Sequence, residues 1–167
     1  LRTISQPLSE DIIKEFHRIL KTGTADAQKE YFNVGDYKKL ANEVGGCETC
    51  APSEVAKEMQ TLQQWYDAQN DVSIRTLAEY HWRFESIHPF QDGNGRVGRL
   101  ILFRECLRHS IMPFVIDNNH KTYYYRGLSE FKNKPGFLID TMQSSQDTYA
   151  AWIRYFNPDL LHGLKLE

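Results

Sequence analysis

The chain has 167 residues, a formal net charge of −2 and 25% charged residues. That length suits one domain, residues 1–167, with a core of its own. The balanced charge offers no basic field for nucleic acid. The longest uninterrupted run of aliphatic and aromatic residues, Leu100 to Phe103, is far too short to span a bilayer. The first residues do not read as a signal peptide, and no repeat or low-complexity tract is present. Three cysteines, Cys47, Cys50 and Cys106, form no framework, which fits a reducing, cytoplasmic setting. Cys47-Glu-Thr-Cys50 lacks the second ligand pair of a zinc site and the βαβ context of a redox motif.

Leu8 to Leu20 carries an apolar stripe of Leu8, Ile12, Ile13, Phe16, Ile19 and Leu20, which predicts an amphipathic helix. Ser9 with Glu10 and Asp11 starts it and Gly23 ends it. Asn33-Val-Gly-Asp36 is turn chemistry. Tyr37 to Val44 then reads as a hairpin arm that Gly45-Gly46 closes. Ser53 to Ala68 reads as a helix, with Val55, Met59, Leu62, Trp65 and Tyr66 inward. Another starts at Asp71 or Ser73 and carries Leu77, Tyr80, His81, Phe84 and Ile87. His81, on its apolar face, reads as a satisfied core histidine. A helix from about Arg96 to Arg108 bears Val97, Leu100, Ile101, Phe103 and Leu107. Met112 to Ile116 is an extended link. Lys121 to Phe131 is a helix with Tyr123-Tyr124-Tyr125, and Phe137 to Tyr155 a last long one. Ile139, Met142, Trp152 and Phe156 are its core candidates, and the tail after Pro158 is peripheral.

Between the third and fourth helices lies His88-Pro-Phe-Gln-Asp-Gly-Asn-Gly-Arg-Val-Gly-Arg99. Pro89 disfavours the α region for His88, so the preceding helix stops there. Gly93-Asn94-Gly95 reaches positive φ cheaply and can aim successive N–H groups inward as an anion nest. The helix that follows adds unpaired N–H groups and a positive dipole end. Arg96 and Arg99 in its first turn oppose that dipole, so a bound polyanion explains them better than stability does. Asp92 beside bound phosphates is placed to hold Mg²⁺, although an Asx turn would also use it. His88 is the one group here that accepts a proton near neutral pH, which points to a general base. Phe90 is an apolar peg for the loop. Gly93-x-Gly95-x-x-Gly98 formally matches a dinucleotide fingerprint. It follows a helix pattern rather than a strand, which excludes that reading.

The stretch from His88 to Arg99 resembles the signature of the Fic family, His-x-Phe-x-(Asp or Glu)-Gly-Asn-Gly-Arg-x-x-Arg, at every specified position. The resemblance extends from about Leu8 to Phe156. It implies an all-α fold, a Fic-type helical domain with a short β-hairpin flap over the active site. The flap corresponds to residues 33–46, the loop to 88–95 and the motif helix to 96–108. It implies an enzyme, a protein adenylyltransferase that moves AMP from Mg-ATP to a Ser, Thr or Tyr hydroxyl of a target protein, with self-modification as a side reaction.

By position, His88 would deprotonate the hydroxyl and Asp92 would hold Mg²⁺. Asp92, Gly93, Asn94, Gly95 and Arg96 with Val97, Gly98 and Arg99 would hold the triphosphate. Val44, Gly45, Gly46 and Cys47 on the flap and Tyr124 and Tyr125 would complete the nucleotide site. The target segment would pair along the flap in strand fashion. Two positions depart from the family pattern: Lys38, where arginine is frequent, and Lys132, where an asparagine helps to hold the base.

Many family members restrain themselves with Ser/Thr-x-x-x-Glu-Gly/Asn, whose glutamate pairs with the second motif arginine, here Arg99. No glutamate in this chain is followed by Gly or Asn. The inhibitory helix is expected upstream in a longer protein; the alternatives are that a partner supplies it or that this form is unrestrained. The resemblance is compatible with a homodimer and with a bacterial source. Two alternatives remain at this level: the same fold using UTP, GTP or CDP-choline as donor, and a nucleotide-binding regulator without turnover. Retention of both His88 and Asp92 speaks against the second, because binding alone needs neither a base nor a metal ligand.

Overall fold

The computed structural model describes residues 2–161 and 163–166. Among them the regular structure is almost all helical: α1 (Glu10–Lys21), α2 (Val55–Asp67), α3 (Ile74–Ile87), α4 (Asn94–Arg108), α5 (Lys121–Glu130) and α6 (Gly136–Phe156). The one sheet is a hairpin of β1 (Glu43–Val44) and β2 (Cys47–Glu48), antiparallel, with Val44 opposite Cys47. The all-α expectation with a short hairpin holds.

Each boundary has a local cause. Ser9 caps α1 by accepting the Ile12 N–H on its hydroxyl, and Glu10 and Asp11 sit on the positive end of the helix dipole. Gly45 and Gly46 both have positive φ, the requirement of a two-residue type I′ hairpin turn. The glycine pair is thus the apex of the hairpin rather than its end, and the second arm runs on through Glu48. The expected strand from Tyr37 to Val44 shrinks to two residues. Upstream of Glu43 the chain directs its donors elsewhere: Lys38 N–H to the Pro89 carbonyl at 2.9 Å and Leu40 N–H to Gln91 Oε1 at 3.2 Å.

The chain folds as two compact units. One comprises Gln6–Asn70 and Arg83–Ile101. Its core joins Ile12 and Ile13 of α1, Phe32, Val55, Met59, Leu62 and Tyr66 of α2, Phe84, Phe90, Val97 and Ile101. Ile19 is 66% exposed although it belongs to the apolar stripe. Two polar residues, His17 and Lys21, take the inward positions one and two turns beyond Ile13. Leu100, also placed on an inward face by periodicity, is exposed as well.

The other unit comprises Leu1–Ser5, Asp71–Trp82 and Leu102–Glu167. Here α5 packs on α6 so closely that a Cβ at Gly127 would lie 2.7 Å from the Leu138 Cα. Ile139 and Met142 are buried as expected, but Trp152 (44%) and Phe156 (79%) are exposed. Beyond Ala150 the helix α6 buries no further described residue. The tail returns to the body of this unit: Lys165 pairs with Ile111, its carbonyl accepting the Met112 N–H at 2.7 Å. His81 is buried, as expected of a core histidine, with Nε2 2.7 Å from the Tyr124 hydroxyl.

Candidate active site

The loop after α3 is built around Phe90. Its ring is fully buried and lies flat on the imidazole of His17, with centroids 4.0 Å apart and planes 2° from parallel. The Asn94 side chain clamps the backbone of the same residue. Oδ1 accepts the Phe90 N–H and Nδ2 donates to the Phe90 carbonyl, both at 2.8 Å. Asn42 donates to that carbonyl too, at 3.1 Å. The amide of Asn94 is therefore engaged in shaping the loop, and only its backbone N–H is left to face a ligand. Gly93 at φ +91° turns the chain into α4. Arg96 and Val97 donate to the Gly93 carbonyl, which leaves the first-turn N–H groups of Asn94 and Gly95 without a backbone acceptor among the described residues. That is an anion-receptive helix start.

His88 sits at φ +53°, a strained position for a residue with a side chain. Its Nδ1 lies 3.4 Å from the Glu85 carbonyl, which can only accept. Nδ1 thus carries the proton, and Nε2 is the basic atom. Burial pushes the imidazole pKa down, and the Lys38 ammonium pushes the same way. His88 is accordingly a neutral imidazole near pH 7, the form a general base requires.

Asp92 is half exposed, and its Oδ2 accepts from Lys21 at 2.6 Å and from Arg96 at 2.9 Å. Burial acts to raise its pKa, but the Lys21 hydrogen bond and charge outweigh that, so the carboxyl is held below the usual range. The Asp92–Arg96 pair is exposed on both sides, and such pairs hold weakly. Arg99 folds back on its own helix: a Cβ on Gly95 would come within 3.2 Å of its guanidinium. Its charge also bears on Glu85, a buried carboxyl of α3 whose pKa burial raises to about 7 against the pull of Arg99.

The hairpin is tied to the loop by Lys38. Its buried ammonium donates to Asn42 Oδ1 at 2.8 Å, to Thr49 Oγ1 at 2.6 Å and to the Ile87 carbonyl at 3.5 Å, and burial lowers its pKa. Lys38, one of the two departures from the family pattern, is here the knot between flap and helix end. Val44 and Cys47, flanking the Gly45–Gly46 turn, are exposed.

The structure thus brings His88, Asp92, Gly93 to Arg99 and the Val44–Cys47 turn into one unit. Tyr124 and Tyr125 belong to the other. There Tyr124 is buried with its hydroxyl against His81, while Tyr125 is exposed and meets the Tyr124 ring edge to face. Periodicity misses His17, Lys21 and Glu85. Their signal is polar or charged residues at core spacing: Ile13-His17-Lys21 on α1, and Glu85 between Phe84 and Ile87.

For Mg²⁺ the residues fit in one way. No group of three His, Cys, Asp or Glu side chains gathers among the described residues. Asp92, ionised and half exposed beside an anion-receptive turn, fits the usual arrangement for Mg²⁺, one or two carboxylates with phosphate oxygens completing the shell.

The model of the Fic/DOC family matches residues 7–105. The protein adenylyltransferase Fic of Drosophila persimilis is 28% identical over 148 residues, which covers 84% of this chain and 28% of that protein. The chain thus spans little more than a quarter of that curated relative. A Fic domain containing signaling protein from Bacteroides thetaiotaomicron is 25% identical, with a TM-score of 0.65 over 96% of this chain and 62% of that one. Fic-1 from C. elegans superposes with a TM-score of 0.71 at 22% identity, over 93% of this chain and 47% of that one. With the motif loop, the helical scaffold and the hairpin in place, the chain belongs to the Fic/DOC family.

Proposed function

We propose that this chain, as a single Fic domain, transfers AMP from Mg-ATP to a Ser, Thr or Tyr hydroxyl of a target protein. The observation that carries this reading is the neutral imidazole of His88, with Nε2 as its basic atom, beside a helix start whose Asn94 and Gly95 N–H groups are open. The adenylyltransferase name of the Drosophila relative supports it.

In this reading the α- and β-phosphates lie against the Asn94 and Gly95 N–H groups, with Arg96 released from Asp92 and Arg99 at the far end of the triphosphate. Asp92 would hold Mg²⁺, which would neutralise phosphate charge when bound. The target hydroxyl loses its proton to His88 Nε2. Its oxygen bonds to the α-phosphorus, the bond from that phosphorus to the β-phosphate oxygen breaks, and pyrophosphate leaves. Transfer of this kind depends on positioning and charge neutralisation more than on covalent chemistry by the protein. A well-placed base contributes about 10²–10⁴-fold.

The flap turn Val44–Cys47 would present its edge to the target segment. Restraint by an inhibitory helix in a longer protein or on a partner, and dimerisation, belong to the same reading. No helix among the described residues is long and apolar enough to cross a membrane.

Label transfer from α-³²P-ATP with Mg²⁺, to the chain itself and to proteins of a lysate, tests the reading. Wild type is expected to label and His88→Ala to lose label while still binding ATP. Equal labelling by both would overturn it. No label from ATP but label from UTP, GTP or CDP-choline would keep the base and change the donor.

A further inference from the structure

Two buried polar side chains of α1, one turn apart, converge on Asp92. His17 donates from Nε2 to the Asp92 carbonyl at 3.1 Å, while its Nδ1 accepts the Gly35 N–H at 2.9 Å. Lys21 donates from Nζ to Asp92 Oδ2 at 2.6 Å. Lys21 also reaches Asp26 Oδ2 at 2.7 Å, and Asp26 holds Lys29 through Oδ1, again at 2.7 Å. The charges alternate from Asp92 through Lys21 and Asp26 to Lys29.

Exposed ion pairs such as Arg18–Glu15 and Arg126–Glu130 contribute little. The Lys21 side chain differs, at 3% exposure between two carboxylates. Charges interact more strongly there than in water. Burying an ammonium is also a poor route to stability, because an apolar side chain of similar volume serves as well or better. Its geometry instead controls Asp92. Lys21 and Arg96 together occupy Oδ2, and Oδ1 has no side-chain donor among the described residues.

We propose that Lys21 is a positioning residue for Asp92 and that Lys21 and Asp26 together set how tightly this carboxylate holds a divalent cation. The proposal rests on the reading of Asp92 as the Mg²⁺ ligand. Lys21 holds the carboxylate in one orientation with Oδ1 presented, and its positive charge opposes a second cation there. Asp26 offsets part of that opposition. Removing the Asp26 charge therefore weakens cation binding. Removing the Lys21 charge tightens it but frees the carboxylate to turn, so that the cation is held in the wrong place for transfer.

Mn²⁺ titration of the full chain with α,β-methylene-ATP bound, read by the electron paramagnetic resonance of the free ion, tests this. Asp26→Asn is expected to weaken Mn²⁺ binding and Lys21→Met to tighten it, each by about three- to tenfold for one elementary charge across a partly buried path. Lys21→Met should also lower kcat for label transfer while the Mg²⁺ concentration for half-maximal rate falls, a split that a merely structural lysine would not produce. Asp26 is partly exposed and touches no proposed ligand, so Asp26→Asn keeps the test alive if Lys21→Met fails to fold. Equal affinities in wild type and Asp26→Asn, or the same direction of change in both variants, would overturn the proposal. Asp92→Ala separates the two levels. If it leaves Mn²⁺ binding unchanged, Asp92 is not the ligand and the metal reading itself falls, taking this proposal with it.

Discussion

The imidazole of His17 lies flat on the ring of Phe90, and its two nitrogens bind the Gly35 N–H and the Asp92 carbonyl. One fully buried side chain thus joins α1, the turn before the flap and the loop that carries His88 and Asp92. A carbonyl accepts and a backbone N–H donates, so the ring is the neutral tautomer with the proton on Nε2. Burial pushes its pKa down, in keeping with that form.

His17→Ala removes a stacked pair and two hydrogen bonds and leaves the part-buried Gly35 N–H and the Asp92 carbonyl without those partners. The expected cost is about 2–5 kcal/mol of stability, from the usual values for such losses. It is read as a lowered thermal midpoint, with label transfer reduced even below that midpoint because Asp92 loses its main-chain anchor.

Lys38→Met removes a buried ammonium whose hydrogen-bond partners are all neutral. Stability should change by no more than about 1–2 kcal/mol, since loss of a buried charge offsets loss of its hydrogen bonds. The chemical effect is on His88, whose pKa the Lys38 charge helps to hold down after burial. Without it the imidazole protonates at higher pH, so the acid limb of the kcat/KM profile for label transfer should move to higher pH. An unmoved limb would show that burial alone sets the basicity of His88.

Glu85 links stability to pH. Its folded pKa, about 7, lies above the ordinary value of 4.5, so the folded state binds more protons between those values. Stability is fully present below the unfolded pKa and falls as pH rises toward and through the folded one. Across that window the loss is roughly 3–4 kcal/mol, because each pH unit separating the two pKa values corresponds to about 1.4 kcal/mol. Glu85→Gln should flatten the dependence of the urea midpoint on pH between about 5 and 8. A variant with the wild-type slope would contradict the assignment.

Gly95→Ala sets two effects against each other. Alanine in a helix is favoured over glycine by about 0.5–1 kcal/mol. Yet the new methyl would meet the Arg99 guanidinium at 3.2 Å and push it aside. Thermal stability is expected to hold or rise while ATP binding weakens several-fold, as calorimetry of nucleotide binding beside a melting curve would reveal.

What one helix or one turn can specify by itself is legible in the residues. Pro89 stops α3 at Ile87 and Ser9 caps α1, while α4 opens at Asn94, two residues before its expected start, because only Gly93 of the Gly-Asn-Gly turn takes positive φ. The His88–Arg99 window carries the family because its groups all lie on one continuous loop, so no tertiary contact is needed to bring them together. The hairpin is legible as a turn, but residue pattern makes its first arm too long and starts it too early. The donors of Lys38 and Leu40 bond to the loop instead, and such a choice is visible only once the two segments are adjacent.

Periodicity reports which face of a helix is apolar, and it fails where polar groups are buried together. His17 and Lys21 displace Ile19 from the interior because α1 faces partners that accept hydrogen bonds: the Asp92 carbonyl and the Asp92 and Asp26 carboxylates. The contacts to Asp92 span 75 and 71 residues of chain. Asn94 illustrates the same division. Its place in the motif is evident from the residues, whereas its work, clamping Phe90 through both atoms of its amide, is set by the folded loop. Local backbone preference and apolar spacing were enough to specify the chemistry on offer and the helices that carry it. How Asp92 is held, where Lys38 anchors the flap and which titratable groups are buried depended on the packed chain, because desolvation and long-range pairing arise only when distant segments come together.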